Sequence, residues 1–331
     1  GHKPDLNQRF IMVDSGYNHT AALADNGVVW IWGGPAASHM GDAAAIRTVP
    51  TQVGQINWQN TKEIACTLSG VLALGHDKTL RCIGTPTNGE FGNNSTAATA
   101  VAPGVTPVGL DGLVTSVACG YNHTLVILQD GTVRAFGNNT SGLLGDGTLT
   151  QRQTPMTVIG LADVKAVAAG GYNGNMGFSL ALTQSGEVYS WGFNGQGQLG
   201  LNDTTNRVTP TKIPTLSGVK AIAAGSNHSL FLLNDGRVFF CGNDSTGAPG
   251  GSSLFPVQVV SPLLANIEKI FAGKAGNGTT LHGSSFAIND KGEVFAWGFR
   301  QTMAIYGLNV TPLNPLSAPT KVPGLLGIVG I

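Results

Sequence analysis

The chain has 331 residues, with 18 basic and 18 acidic side chains that cancel to zero formal charge. Only 11% of positions are charged, against about 25% in an ordinary soluble domain, so no cationic surplus exists to grip nucleic acid or an anionic membrane. Forty-eight glycines and 42% hydrophobic residues describe a folded, turn-rich chain with a large core. No stretch approaches the ~18 consecutive apolar residues of a membrane span.

From the N-terminus, Gly1-His2-Lys3-Pro4 reads as an expression scar, and residues 1–8 as an arm ahead of one domain over 9–331. Phe10–Gly16 then has the pattern of a short strand. After it comes an aromatic strand that closes on glycine, Val29-Trp30-Ile31-Trp32-Gly33. That element returns as a degenerate Leu80-Arg81-Cys82-Ile83-Gly84, then as Val133–Gly137, Val188–Gly192, Val238–Gly242 and Val294–Gly298. The closing glycines fall at 33, 84, 137, 192, 242 and 298, and a second series at 41, 92, 145, 200, 250 and 307 keeps step with them. Two landmarks in phase over six copies establish a repeat, the first feature to seek in any sequence.

Each copy runs in the same order. A small-residue strand such as Val117-Ala118-Cys119-Gly120 or Ile222-Ala223-Ala224-Gly225 leads into an apolar strand such as Leu125-Val126-Ile127-Leu128. A turn follows, Asp130-Gly131 or Asp235-Gly236, of the kind that favours hairpins. The aromatic-glycine strand, a glycine loop and an extended proline strand complete the unit, the last seen at Pro50–Val53, Pro155–Val158, Pro210–Ile213 and Pro256–Val259. Proline removes a ladder donor, which places that strand on a sheet edge. Four short antiparallel strands per repeat define an all-β fold, a single β-propeller of four-stranded blades. Six copies predict six blades. Seven is the alternative, because both Phe10–Gly16 and Leu325–Ile331 have first-strand character and either could sit beside the other end of the chain.

The motifs resemble the regulator of chromosome condensation repeat family. The resemblance rests on Ala168-Ala169-Gly170 leading to Val188-Tyr189-Ser190-Trp191-Gly192-Phe193-Asn194-Gly195-Gln196-Gly197-Gln198-Leu199-Gly200, and on Gly120-Tyr121-Asn122-His123-Thr124. It covers nearly all of 9–331 and implies a propeller. It implies little about activity, because functions are grafted on folds.

Chemical motifs are weak. Gly195–Gly200 matches a dinucleotide fingerprint, but no helix pattern follows it, so it reads as a turn. His19, His123 and His228 stand at equivalent positions in three copies and are expected to satisfy blade hydrogen bonds, a role that the family resemblance supports. Cys66, Cys82, Cys119 and Cys241 fit no zinc spacing and read as small buried thiols. Arg47, Arg152 and Arg207 each stand three residues before a rim proline and read as anchors. No catalytic, metal-binding or cofactor-binding pattern emerges, so the expectation is a protein that is not an enzyme and carries no cofactor.

Binding is expected where the regular repeat becomes irregular. The loops from first to second strand emerge on one face and carry Tyr17-Asn18, Tyr121-Asn122 and Tyr172-Asn173. Copy four is enlarged over Tyr172–Gly177 and copy six over Lys274–Gly283, which brings Asn277 and His282. Tyrosine among Asn, Gly and Ser offers rigid amphipathic area with adaptable hydrogen bonding. The leading reading is a non-enzymatic protein-recognition module. A glycan- or host-receptor-binding module, with Trp30 and Trp58 as sugar platforms, is the first alternative, and an architectural subunit the second. Asn-x-Ser/Thr acceptors inside the repeat, at Asn18, Asn122 and Asn227, favour a bacterial or phage origin. The expected setting is extracellular, at the cell surface or on a virion, with the cytoplasm as the alternative.

Overall fold

The computed structural model describes residues 8–16, 19–33, 47–53, 58–96, 101–243, 252–274, 283–298 and 316–324. Within them the chain forms 24 strands and no α-helix, in six four-stranded antiparallel sheets. Each sheet takes its strands consecutively from one stretch. Blade 1 runs from Phe10 to Gln52, blade 2 from Thr61 to Val105, and blade 3 from Val114 to Thr157. Blade 4 runs from Val164 to Lys212, blade 5 from Val219 to Gln258, and blade 6 from Ile267 to Lys321. The choice between six and seven blades resolves to six. Phe10–Ser15 is the inner strand of blade 1, paired with His19–Ala24 of its own sheet, whereas Leu325–Ile331 lies outside the described residues.

The period of the sequence has a backbone cause. All six glycines that close the third strands have φ between +94° and +130°, where a side chain is strained. They also lack room: a Cβ on Gly137 would lie 2.6 Å from the Asn122 carbonyl oxygen and 2.8 Å from the His123 Cα. Glycine is therefore required wherever the third strand passes beneath the loop that starts the second.

The second strand is buried at every position in blades 2, 3, 4 and 5. Both its faces abut a neighbouring blade, so successive rather than alternate residues are apolar. Leu125 and Ile127 pack with Leu144, Val164 and Trp191 toward blade 4, while Val126 and Leu128 pack with Leu72, Cys82 and Phe91 toward blade 2. Five such apolar cores occupy the five seams between successive blades.

Backbone straps bind the blades further out. The glycine loops reach the outer strand of the next blade through Asn94 N–H to Gln153 O (2.8 Å), Gly147 N–H to Val208 O (3.0 Å) and Asn202 N–H to Leu254 O (2.8 Å). The anchor role of Arg152 and Arg207 is seen directly: Arg152 Nε donates to Asp146 at 2.8 Å and Arg207 Nη2 to Asp203 at 2.6 Å. The side chain of Arg47 is outside the described residues.

Candidate functional site

The histidines staple blades rather than forming a site. His123 Nε2 lies 3.0 Å from Ser179 Oγ of the next blade, and that hydroxyl donates to the Leu143 carbonyl at 2.8 Å. Since the serine proton is engaged there, the imidazole must be the donor, which fixes an Nε2–H tautomer. Trp191 Nε1 donates to the same carbonyl at 2.9 Å. His228 repeats the pairing with Ser285 at 3.1 Å, and His19 meets the Gly70 carbonyl at 3.2 Å. Burial pushes the His123 imidazole down to about 3 and His228 to about 4, so both are neutral at ordinary pH. Glycine three residues earlier makes room: a Cβ on Gly120 would fall 2.3 Å from His123 Cε1, and one on Gly225 the same distance from His228 Cε1.

All four cysteines are buried and free. Burial raises their thiols, that of Cys119 to about 12, which leaves them unreactive. Gly195–Gly200 is a turn organised by Asn194, whose Oδ1 accepts from Leu199 N–H at 3.0 Å. Asn139 does the same for Leu144 in blade 3. Among the described residues no group of three or more His, Cys, Asp or Glu side chains gathers to hold a metal ion.

The loops from first to second strand share one face with the glycine loops and are stitched to each other around the channel. Leu68 N–H donates to Tyr121 O (2.6 Å), Gly171 N–H to Gly225 O (3.0 Å) and Ser226 N–H to Gly273 O (3.1 Å). The enlarged loop of blade 4 leans back on blade 3. Thr140 Oγ1 donates to Gly174 O at 3.2 Å and Ser141 Oγ to Asn175 O. Asn173 Oδ1 accepts from Asn175 N–H at 3.0 Å, closing a local turn.

Of the residues expected to bind, Tyr121 and Asn173 are half-buried on this face, and Asn175 beside them is exposed. Asn122 and Tyr172 are buried, and the Tyr172 hydroxyl meets Met176 Sδ at 2.6 Å. Burial makes both supports of the loops rather than contact surface. Tyr17, Asn18, Asn277 and His282 lie outside the described residues. Trp30 and Trp58, expected as sugar platforms, are only 4% and 0% exposed. Trp30 meets Phe10 edge-on at 6.4 Å and Trp58 joins the core between blades 1 and 2, so neither can present a ring to a sugar.

Two features escaped sequence reasoning. Every inner strand carries a bulge at its second residue, and the bulged positions at the far mouth of the channel are Ile11, Lys62, Thr115, Lys165, Lys220 and Glu268. Register therefore gathers lysines in a chain of zero net charge; Lys220 pairs with Glu268 at 3.3 Å, and Lys62 Nζ donates to the Thr115 carbonyl at 2.8 Å. The second feature is Glu90, a fully buried carboxyl in the seam between blades 2 and 3. Ser69 Oγ donates to it at 3.1 Å and Asn88 N–H at 2.7 Å, but burial prevails and raises it to about 7.

Six radial four-stranded sheets, stapled at in-phase positions and carrying loops around a channel, define a β-propeller repeat protein. The model of the RCC1-like domain matches residues 1–282, and the chain belongs to that family. It is 28% identical over 302 residues to the ultraviolet-B receptor UVR8 of Arabidopsis thaliana, an alignment covering 88% of this chain and 65% of the receptor. It is 32% identical over 194 residues to the probable E3 ubiquitin-protein ligase HERC4 of Homo sapiens, covering 56% of this chain and 17% of the ligase. The chain thus spans just under two-thirds of the first relative and a small part of the second. Prp20p of Saccharomyces cerevisiae superposes with a TM-score of 0.78 at 23% identity, over 95% of this chain and 76% of that one.

Proposed function

We propose that this propeller is a non-enzymatic protein-recognition module that docks its partner on the loop face around the channel. The observation that carries the reading is the enlarged loop of blade 4. Its bonds to Thr140 and Ser141 fix its shape, while Asn175 is exposed and Asn173 and Tyr121 are half-buried on the same face. A loop already ordered before docking loses little conformational freedom on binding. The yeast relative Prp20p, described with its binding to Gsp1p and histones, shows the scaffold serving protein recognition in another chain.

The proposed setting is a bacterial or phage surface or secreted protein. Supporting it, the acceptor asparagines Asn122, Asn139 and Asn227 are buried, where a glycan would not fit.

The test is affinity capture from bacterial lysate and envelope fractions, comparing the parent with a Tyr121→Ala/Asn173→Ala/Asn175→Ala variant. A protein retained at near-equal stoichiometry by the parent, and lost by a variant of unchanged melting temperature, is expected. Equal capture by both would move the interface off this face.

A further inference from the structure

Lys274 ends the inner strand region of blade 6, and its side chain crosses the loop-side mouth of the channel to blade 3, on the opposite side of the ring. There Nζ donates to the Cys119 carbonyl at 2.5 Å. Beneath it lies a cavity of about 510 Å³ walled by all six inner strands, its middle tier formed by Val13, Ile64, Val117, Val167, Ile222 and Ile270. A cavity of this size, mostly apolar with a few polar groups, is of the kind that takes a small ligand.

The polar groups are unequally engaged. Asp14 accepts from Ser15 N–H at 2.9 Å and from Cys66 N–H at 2.7 Å. Glu63, deeper in the wall, accepts from Ser116 Oγ at 2.9 Å and Val117 N–H at 3.3 Å. Lys274 carries three donors, and the partner it meets is a neutral carbonyl. Each acid thus already accepts two hydrogen bonds from the wall, and the ammonium, with one carbonyl partner, keeps hydrogens for an incoming anion.

We propose that this mouth reads the free C-terminus of a bound protein: Lys274 takes the terminal carboxylate, and the cavity takes an apolar last side chain. A chain terminus presents carboxylate and side chain from one Cα, matching a cation at the rim above an apolar chamber. An Asp or Glu carboxylate sits at the tip of its side chain and would be carried past the ammonium into the apolar tier, where an unpaired charge is costly. The proposal rests on the reading that the loop face docks a protein.

The test needs no identified partner. Backbone amide NMR signals of Cys119, Gly120 and Lys274 are followed while N-acetyl-valine, N-acetyl-valine amide, N-acetyl-glycine and N-acetyl-aspartate α-amide are titrated into the whole protein. N-acetyl-valine is expected to shift these signals saturably, with the other three weaker by about tenfold or more. Lys274→Gln should lose that preference and Lys274→Arg retain it. Valine amide binding as well as the acid, no saturable shift, or an unaffected Lys274→Gln would overturn the proposal. Equal binding by the aspartate amide would overturn the choice of a chain terminus. Should Lys274→Gln fail to fold, the acid-against-amide comparison on the unaltered protein decides. Failure here, beside a captured partner that depends on Tyr121, Asn173 and Asn175, would remove this inference and leave the broader reading standing.

Discussion

Blades 2 and 3 solve the same seam with different residues. In blade 3 the second strand opens with His123, which reaches Ser179 of the next blade, and Leu144 of the glycine loop fills the core beside it. In blade 2 the strand opens with Gly70, and the equivalent loop residue is Phe91, whose Cζ lies 2.3 Å from where a Gly70 Cβ would stand. In blade 2 the phenyl ring occupies the space that a side chain at position 70 would need, and a glycine there can make no side-chain staple to the next blade. The repeat specifies a packed volume and a backbone path, and the polar staple is one way among several of meeting them.

The largest expected effect comes from breaking that exchange. Gly70→His drives an imidazole into Phe91 and should cost about 3 kcal/mol or more, read by denaturant unfolding, because overpacked cores cannot yield cheaply. Gly70→His with Phe91→Leu writes the blade 3 pair into blade 2 and should recover most of the loss. A double variant no better than the single would refute the exchange.

Next in size is the acid sensitivity that blade 3 has and blade 2 lacks. The folded His123 titrates near 3 against 6.5 when free. Its lowered value means that stability is fully present above about 6.5 and is lost as pH falls toward 3, because the unfolded chain binds the proton first. Blade 4 carries Phe178 at this position, in the same glycine-made space. His123→Phe should therefore match the parent within about 1.5 kcal/mol at pH 7.5 and exceed it by about 2 kcal/mol at pH 4.5. Parallel pH–stability curves for the two proteins would remove the histidine from the account.

The smallest effect sharpens the comparison from the other side. Glu90 stands where blade 3 has Leu143 and blade 4 Gln198. Its folded value of about 7 lies above the free value of 4.5, so its contribution is most favourable below 4.5 and declines as pH rises through 7. Glu90→Gln should be neutral at pH 4 and stabilise by about 1–2 kcal/mol at pH 8. A gain independent of pH would point to packing instead of charge.

Much of the architecture was legible in the sequence because its causes are local. The closing glycines need positive φ, the Asp-Gly turns need Gly131 and Gly236, and the edge strands tolerate Pro155 and Pro210; each leaves a residue-type signature wherever it recurs. The staple role of the histidines and the anchor role of Arg152 and Arg207 were legible for the same reason. The binding face was only half legible. Tyr121 and Tyr172 look alike in sequence, yet one stays half-exposed and the other is buried against Met176. Trp30 and Trp58 stand outside the repeat pattern, but Trp58 is taken into the core between blades 1 and 2 and Trp30 is buried against Phe10 of its own blade.

Strand order within each blade, the six-fold count and the turns follow from the residues locally, because these depend on backbone conformation and on neighbours a few residues away. Which side chains meet across blades depends on how the blades close around the axis. Lys274 and Cys119 are 155 positions apart, and Glu90 is raised by a seam built from two repeats. The lysines of the far mouth are gathered by a bulge that no residue type announces. Such pairings follow from closing the sheets around a common axis, a constraint set by the packing of all six blades together and recorded in none of them singly.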